Sequence, residues 1–157
     1  EAPRFGGGLL LCRVGANPAV PTRRRYNEYM EILNSRMIVR PRDPQRSLEF
    51  YRDVLGLAIF REFPGGTVFF LGQGFLELSG AAEQGPSPDQ ALWLQVRDLR
   101  TTFSELRERG VEALAEPERQ PWGLDEAWIL DPDGMRIALV EVPPNHPSRV
   151  DSRPAQS

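Results

Sequence analysis

The chain is poor in the residues from which metal and redox sites are built. It has one histidine and one cysteine, Cys12, in 157 residues. A single cysteine excludes an internal disulfide framework and agrees with a reducing compartment. A single histidine excludes any site that needs two imidazole ligands from the same chain. Long apolar runs are missing as well. Leu9-Leu10-Leu11-Cys12 is far short of the ~20 residues that span a bilayer, and of the roughly 7–15 in the core of a signal peptide. No membrane partner is expected, and the chain reads as cytoplasmic. Nor is one sign of charge in excess. A net charge of -3 and a pI near 5.3 give no general reason to bind nucleic acid. What remains is 40% hydrophobic and 26% charged residues, the composition of one globular domain with a real core.

Residues 1–34 carry Gly6-Gly7-Gly8 and the basic run Arg23-Arg24-Arg25 but no sustained hydrophobic period. They are expected to form an extension outside the fold, upstream of a natural start at Met30 or Met37. Residues 144–157 are expected to be a Pro-rich, non-regular tail. In between, the period switches repeatedly. Residues 36–41 alternate like a strand, and Asp43-Pro44 offers an N-cap followed by Pro at the first helical position. Leu48, Tyr51, Val54 and Leu55 follow at helical spacing until Gly56. Strands near 57–62, 67–71 and 75–79 are separated by Pro64-Gly65 and Gly72-Gln73-Gly74, both turn chemistry.

After a linker from Gly80 to Asp89 the β-α-β-β-β order recurs. Strand 91–96 precedes a helix capped by Asp98 and ended by Gly110, then come strands near 111–115, 127–130 and 136–142, the last two joined by Asp131-Pro132-Asp133-Gly134. That tetrapeptide reads as a hairpin turn. The recurrence is an internal duplication. Arg42-Asp43 matches Arg97-Asp98 at an offset of 55, Phe69-Phe70-Leu71 matches Trp128-Ile129-Leu130 at 59, and Phe75–Leu78 matches Arg136–Leu139 at 61.

Period two sorts the strand residues into faces. Met37, Val39, Leu76, Leu78, Leu92, Leu94, Val96, Ile137 and Leu139 form an aliphatic set suited to packing under helices. The opposite set is mixed: Arg36, Ile38, Arg40, Phe75, Glu77, Ser79, Ala91, Trp93, Gln95, Arg136, Ala138 and Val140. Aromatic and polar side chains together are what a ligand cavity shows.

Arg42-Asp43 followed by Ser47-Leu48-Glu49-Phe50-Tyr51 and Val54-Leu55-Gly56-Leu57, with the later Asp131-Pro132-Asp133-Gly134, resembles the vicinal oxygen chelate superfamily, the glyoxalase/bleomycin resistance protein/dioxygenase group. The resemblance covers about residues 35–143. It implies an α+β fold of two βαβββ modules, about 35–80 and 90–143, in a curved mixed sheet around a cavity, usually as a homodimer. In metal-dependent members the ligands stand on the first and last strand of each module. Here those positions carry Arg36, Glu77, Ala91 and Ala138. Arginine and alanine offer no lone pair to a cation, so no metal and no cofactor is expected.

The candidate ligand-binding residues are Arg36, Arg40, Phe75, Glu77, Trp93, Gln95, Trp122 and Arg136. Each has a second reading. Arg36 and Glu77 form an internal salt bridge or touch the ligand; Arg40 and Arg136 anchor an anion or rim the sheet in solvent. Trp93 is a stacking platform or filler, and Pro121-Trp122-Gly123 a lid or a plain turn. Tyr51 belongs to the core and His146 to an exposed tail. Three arginines against one glutamate favour an anionic or phenolic guest over a strongly cationic drug such as bleomycin. The function expected is metal-independent binding or sequestration of a planar organic ligand. The alternatives are an enzyme, either a lyase or isomerase moving a proton through Glu77 or a metal-dependent one, and a module that only contacts proteins. Glu77 beside an arginine is a poor base, since the cation lowers its pKa.

Overall fold

Residues 30–149 are described by the structure, a computed structural model. The expectations for residues 1–29 and 150–157, including Arg23-Arg24-Arg25 and Cys12, lie outside the described residues. The chain divides after Leu33, and the unit beginning at Asn34 holds every element named below.

Its first module runs β1 (Arg36–Val39), α1 (Pro44–Glu49), β2 (Ile59–Phe63), β3 (Gly66–Leu71) and β4 (Gly74–Ser79). The second runs β5 (Ala91–Gln95), α2 (Leu99–Glu108), β6 (Ala113–Arg119), β7 (Asp125–Leu130) and β8 (Arg136–Glu141). The strands form two four-stranded sheets, ordered β1-β4-β3-β2 and β5-β8-β7-β6. In each, the first and last strands of the module pair parallel and the rest antiparallel. The fold is α+β, as expected, each βαβββ module contributing one four-stranded mixed sheet.

The caps fall where the sequence puts them. The Asp43 carboxylate accepts the Gln45 and Arg46 amides at 3.1 Å, with Pro44 as the first helical residue. Asp98 accepts the Thr101 amide at 2.9 Å. Gly56 and Gly110 take φ of 72° and 83°, a region closed to most side chains, and end the helical segments. One departure lies at Phe50–Val54, where α1 widens into a π turn. The wider turn lets the consecutive Phe50 and Tyr51 both enter the core, edge to face at 5.2 Å. A second departure is β6, which continues past Pro117 to Arg119 with two register shifts. Proline cannot donate to a ladder, and β6 tolerates it because it is an edge strand.

The aliphatic face is the core. Leu76, Leu78, Leu92, Ile137 and Leu139 are buried with Leu99, Phe103 and Leu106 of α2 and with Phe50 and Tyr51, in one cluster spanning both modules. The duplication holds with one correction. Arg36 pairs with Phe75 as Ala91 pairs with Arg136, matching offsets of 55 and 61. Between β3 and β7, however, the true offset is 60. Val68 opposes Glu77 as Trp128 opposes Ala138, and Phe69 opposes Leu76 as Ile129 opposes Ile137. A slip of one residue exchanges the two faces of a strand. The offset of 59 equated Trp128 with the buried Phe69; the pairing puts Trp128 on the open face instead.

The turn at Asp131 does more than reverse the chain. Asp131, nearly buried, accepts the Asp133 and Met135 amides at 2.8 and 2.7 Å and the Tyr51 hydroxyl at 2.9 Å. Asp133 accepts the Arg42 amide at 2.8 Å. Two acidic side chains of the second module thereby hold the helix and the strand end of the first. Burial, and then the neighbouring Asp131, push the Tyr51 phenol far above its ordinary value, so it remains a proton donor to Asp131.

Candidate functional site

The faces turned away from the helices hold the candidate residues. On the first sheet, Arg36 of β1 donates to the Glu77 carboxylate of β4 at 2.5 Å, with side chains 30% and 13% exposed. The ion pair read from the sequence is therefore present. Arg36, and then the Ser79 hydroxyl, hold the Glu77 carboxyl below its ordinary value, and Arg61 adds to this. The Arg36 guanidinium also lies 5.8 Å from the Phe75 ring centroid.

Beside this pair stands an aromatic cluster only partly visible from sequence. Phe75 lies 5.6 Å from Phe70 and 4.7 Å from Phe60, and Phe60 lies 5.1 Å from Phe70. The pairing steps from Ile59–Phe69 to Arg61–Val68, two residues against one. That bulge brings Phe60 to Phe70 and Phe75. Alternation alone could not have found it.

On the second sheet, Trp93 of β5 and Trp128 of β7 flank Ala138 of β8 on its two neighbouring strands. Trp93 is 51% exposed. The Arg136 guanidinium stacks over the Trp128 ring at 4.8 Å. Ala138 and Val140, expected to line a cavity, are instead buried with Val142 under Leu124 and Trp128. Gln95 is exposed opposite Val140. Trp122 caps the end of this face as part of a fixed turn. Its indole N–H donates to the buried Glu126 carboxylate at 2.7 Å, and its carbonyl accepts from His146 Nε2 at 3.1 Å. His146 is thus a tied rather than a loose tail residue, and its Nδ1 faces the Ser148 hydroxyl at 2.7 Å. Arg40 lies beyond the end of β1, exposed, with no ion pair among the described residues.

A cleft beside Trp93 gathers residues of both modules. It measures about 710 Å³ and is lined by Leu57, Phe70 and Gln73 from the first module and by Trp93 and Gln95 from the second; Arg109 of the second module also borders it, held by the Val54 carbonyl and Glu105. Of the eight candidates it collects Trp93 and Gln95. Arg36, Arg40, Phe75, Glu77, Trp122 and Arg136 stand outside its wall. Phe70 is not among the eight candidates, yet it belongs both to this lining and to the phenylalanine cluster.

The four positions at which the resemblance places metal ligands do not suit a cation. Glu77 offers the one carboxylate, and a guanidinium already occupies it. Ala91 and Ala138 provide no donor, and no group of three or more His, Cys, Asp or Glu side chains gathers at one point among the described residues. The ion pair itself is testable through pH. Because the folded-state pKa of Glu77 lies below its unfolded value, its contribution to stability is complete above the ordinary carboxylate range. It disappears as pH falls through the lowered value. Melting curves of the wild type and Glu77→Gln should therefore differ at neutral pH and converge in acid. A constant difference would separate Glu77 from this role.

Comparison with known proteins adds three relatives. A family model described as Glyoxalase/Bleomycin resistance protein/Dioxygenase superfamily matches residues 33–139. A Synechocystis protein named "Probable lactoylglutathione lyase" is 29% identical over 119 residues, covering 66% of this chain and 91% of its own. A crystal structure of a superfamily member from Sphaerobacter thermophilus is 26% identical, with a TM-score of 0.61, over 73% of this chain and 100% of its own. The structure of TnmS3, an antibiotic binding protein from a Streptomyces species, is 25% identical, with a TM-score of 0.63 over the same shares, 73% and 100%.

Proposed function

The chain belongs to the Glyoxalase/Bleomycin resistance protein/Dioxygenase superfamily, and from that premise we propose that it binds or sequesters a planar, anionic or phenolic organic molecule without a metal. The observation that carries this reading is the cleft in which Phe70 and Trp93, 46% and 51% exposed, face one space from different modules. Large aromatic rings left half in water are costly unless something covers them. A flat guest between them contributes stacking as well as burial, and Gln73 and Gln95 supply amide donors and acceptors at its edge. The antibiotic binding protein TnmS3, 25% identical, supports a binding role for this fold.

We take residues 35–143 as the binding domain of a cytoplasmic homodimer, with residues 1–34 and 144–157 outside it. Ile38, Phe60 and Trp122 are also exposed, and a second copy is the simplest cover for so much apolar surface. A second reading, a lyase or isomerase working through Glu77, draws on the name of the Synechocystis relative. Arg36 argues against it by keeping the carboxylate ionised and weakly basic.

Native mass spectrometry of the purified chain tests the proposal. An aromatic acid or phenol bound at one or two copies per dimer, retained after treatment with chelator, is the expected result. A stoichiometric transition metal, or a guest released by chelator, would overturn it.

A further inference from the structure

Three arginines reach the open faces of the two sheets, and the structure employs them differently. Arg36 is taken up by Glu77. Arg61 packs on Phe63 at 5.4 Å and adds to the field on the same carboxylate. Arg136 has no carboxylate within salt-bridge distance among the described residues. Its Nε is shut away from water with no hydrogen-bond acceptor. The guanidinium carbon lies over the Trp128 ring, 4.8 Å from its centroid. A planar cation held in this way has lost water from its ring-facing side and from one N–H, and only the attraction of the indole offsets that loss. An anion placed at its outer edge therefore gains more than it would beside a fully hydrated arginine.

The sheet register brings this arginine near the exposed indole of the cleft. Arg136 stands opposite Ala91, and Trp93 lies two residues farther along β5, opposite Ala138. Ala91 and Ala138 stand between the arginine and the exposed indole, and Ala138 is itself covered by Trp128, so the Arg136–Trp128 pair borders Trp93 across β8. By strand spacing and rise the two positions are roughly 8 Å apart, the reach of an aromatic ring bearing an acidic substituent.

We infer that Arg136, stacked on Trp128, is the anion anchor of the binding site. The ligand's carboxylate, sulfonate or phenolate meets the outer edge of this guanidinium while its ring lies on Trp93. Arg36 makes no such contact. The inference rests on the binding reading above and deepens it, because it says which cation sets the preference for an acidic guest.

Two fluorescent probes with the same ring system separate the two ideas. Anilinonaphthalene sulfonate carries an acidic group; phenylnaphthylamine does not. In titrations of the full chain, Arg136→Met should weaken the sulfonate by about tenfold, the scale of one charge-assisted contact, and leave the neutral probe unchanged. Arg136→Lys keeps the charge without the planar guanidinium and should lose an intermediate amount; it also serves if the methionine variant melts early. Arg46→Met, an equal loss of charge on α1, should match the wild type. Equal effects on both probes, no effect on either, or the same loss in Arg46→Met would each overturn the assignment of Arg136 while leaving the binding reading intact. Failure of the wild type to bind either probe would remove the site itself, and this anchor with it.

Discussion

Asp131→Ala is expected to be among the most destabilising substitutions in the chain, at about 3–5 kcal/mol, because it strips acceptors from three donors at once. The Asp133 and Met135 amides and the buried Tyr51 hydroxyl all end on this carboxylate. Water can reach little of the site, as Tyr51 is fully buried and Asp131 nearly so. For a chain of this size the loss lowers the melting temperature by on the order of 10 °C. Two milder variants separate the contributions. Tyr51→Phe removes one hydrogen bond and leaves the turn intact, so about 1–2 kcal/mol is expected. Asp131→Asn keeps an acceptor for the two amides but turns an N–H toward the phenol, and should fall between the others. Thermal and urea unfolding give the ranking. An alanine variant within about 0.5 kcal/mol of the wild type, the margin of ordinary surface positions, would show that the Asp131 carboxylate does not help hold the two modules together.

The second large effect concerns the guest. Trp93→Ala should weaken binding of anilinonaphthalene sulfonate by about tenfold or more, and the double variant with Phe70→Ala by on the order of a hundredfold, as expected when a central aromatic pair is truncated. Unlike Arg136→Met, these variants should weaken the neutral probe as strongly, because they remove the surface on which its rings lie. Neither side chain belongs to the buried cluster, so folding should survive. Wild-type affinity in the double variant would place the guest elsewhere than the cleft shared by β3 and β5.

Much of this chain could be read from its order of residues because the relevant signals are local. Asp43 and Asp98 cap helices, Gly56 and Gly110 end them, and alternation along β4 and β8 separates the core face from the open one. Such features depend on backbone geometry within a few residues. The chemistry of the side chains at three of the expected ligand positions was equally plain, since no fold gives a lone pair to Arg36, Ala91 or Ala138. What failed did so where register decides. One residue of slip between β3 and β7 hid Trp128, and a bulge in β2 hid Phe60. Alternation is silent about both, because a bulge or a slip changes pairing and not composition.

The amino-acid order alone determined the duplicated α+β topology, the aliphatic face and the non-ligating side chains at positions 36, 91 and 138, all consequences of side-chain chemistry and short-range backbone preference. Tertiary structure alone decided how the charges are spent. It set Arg36 on Glu77, Arg136 on Trp128 and Asp131 under Tyr51, contacts between residues 8 to 80 positions apart in sequence. The strength of an ionic or hydrogen-bonded contact depends on distance and on exclusion of water, and neither exists until the strands are paired.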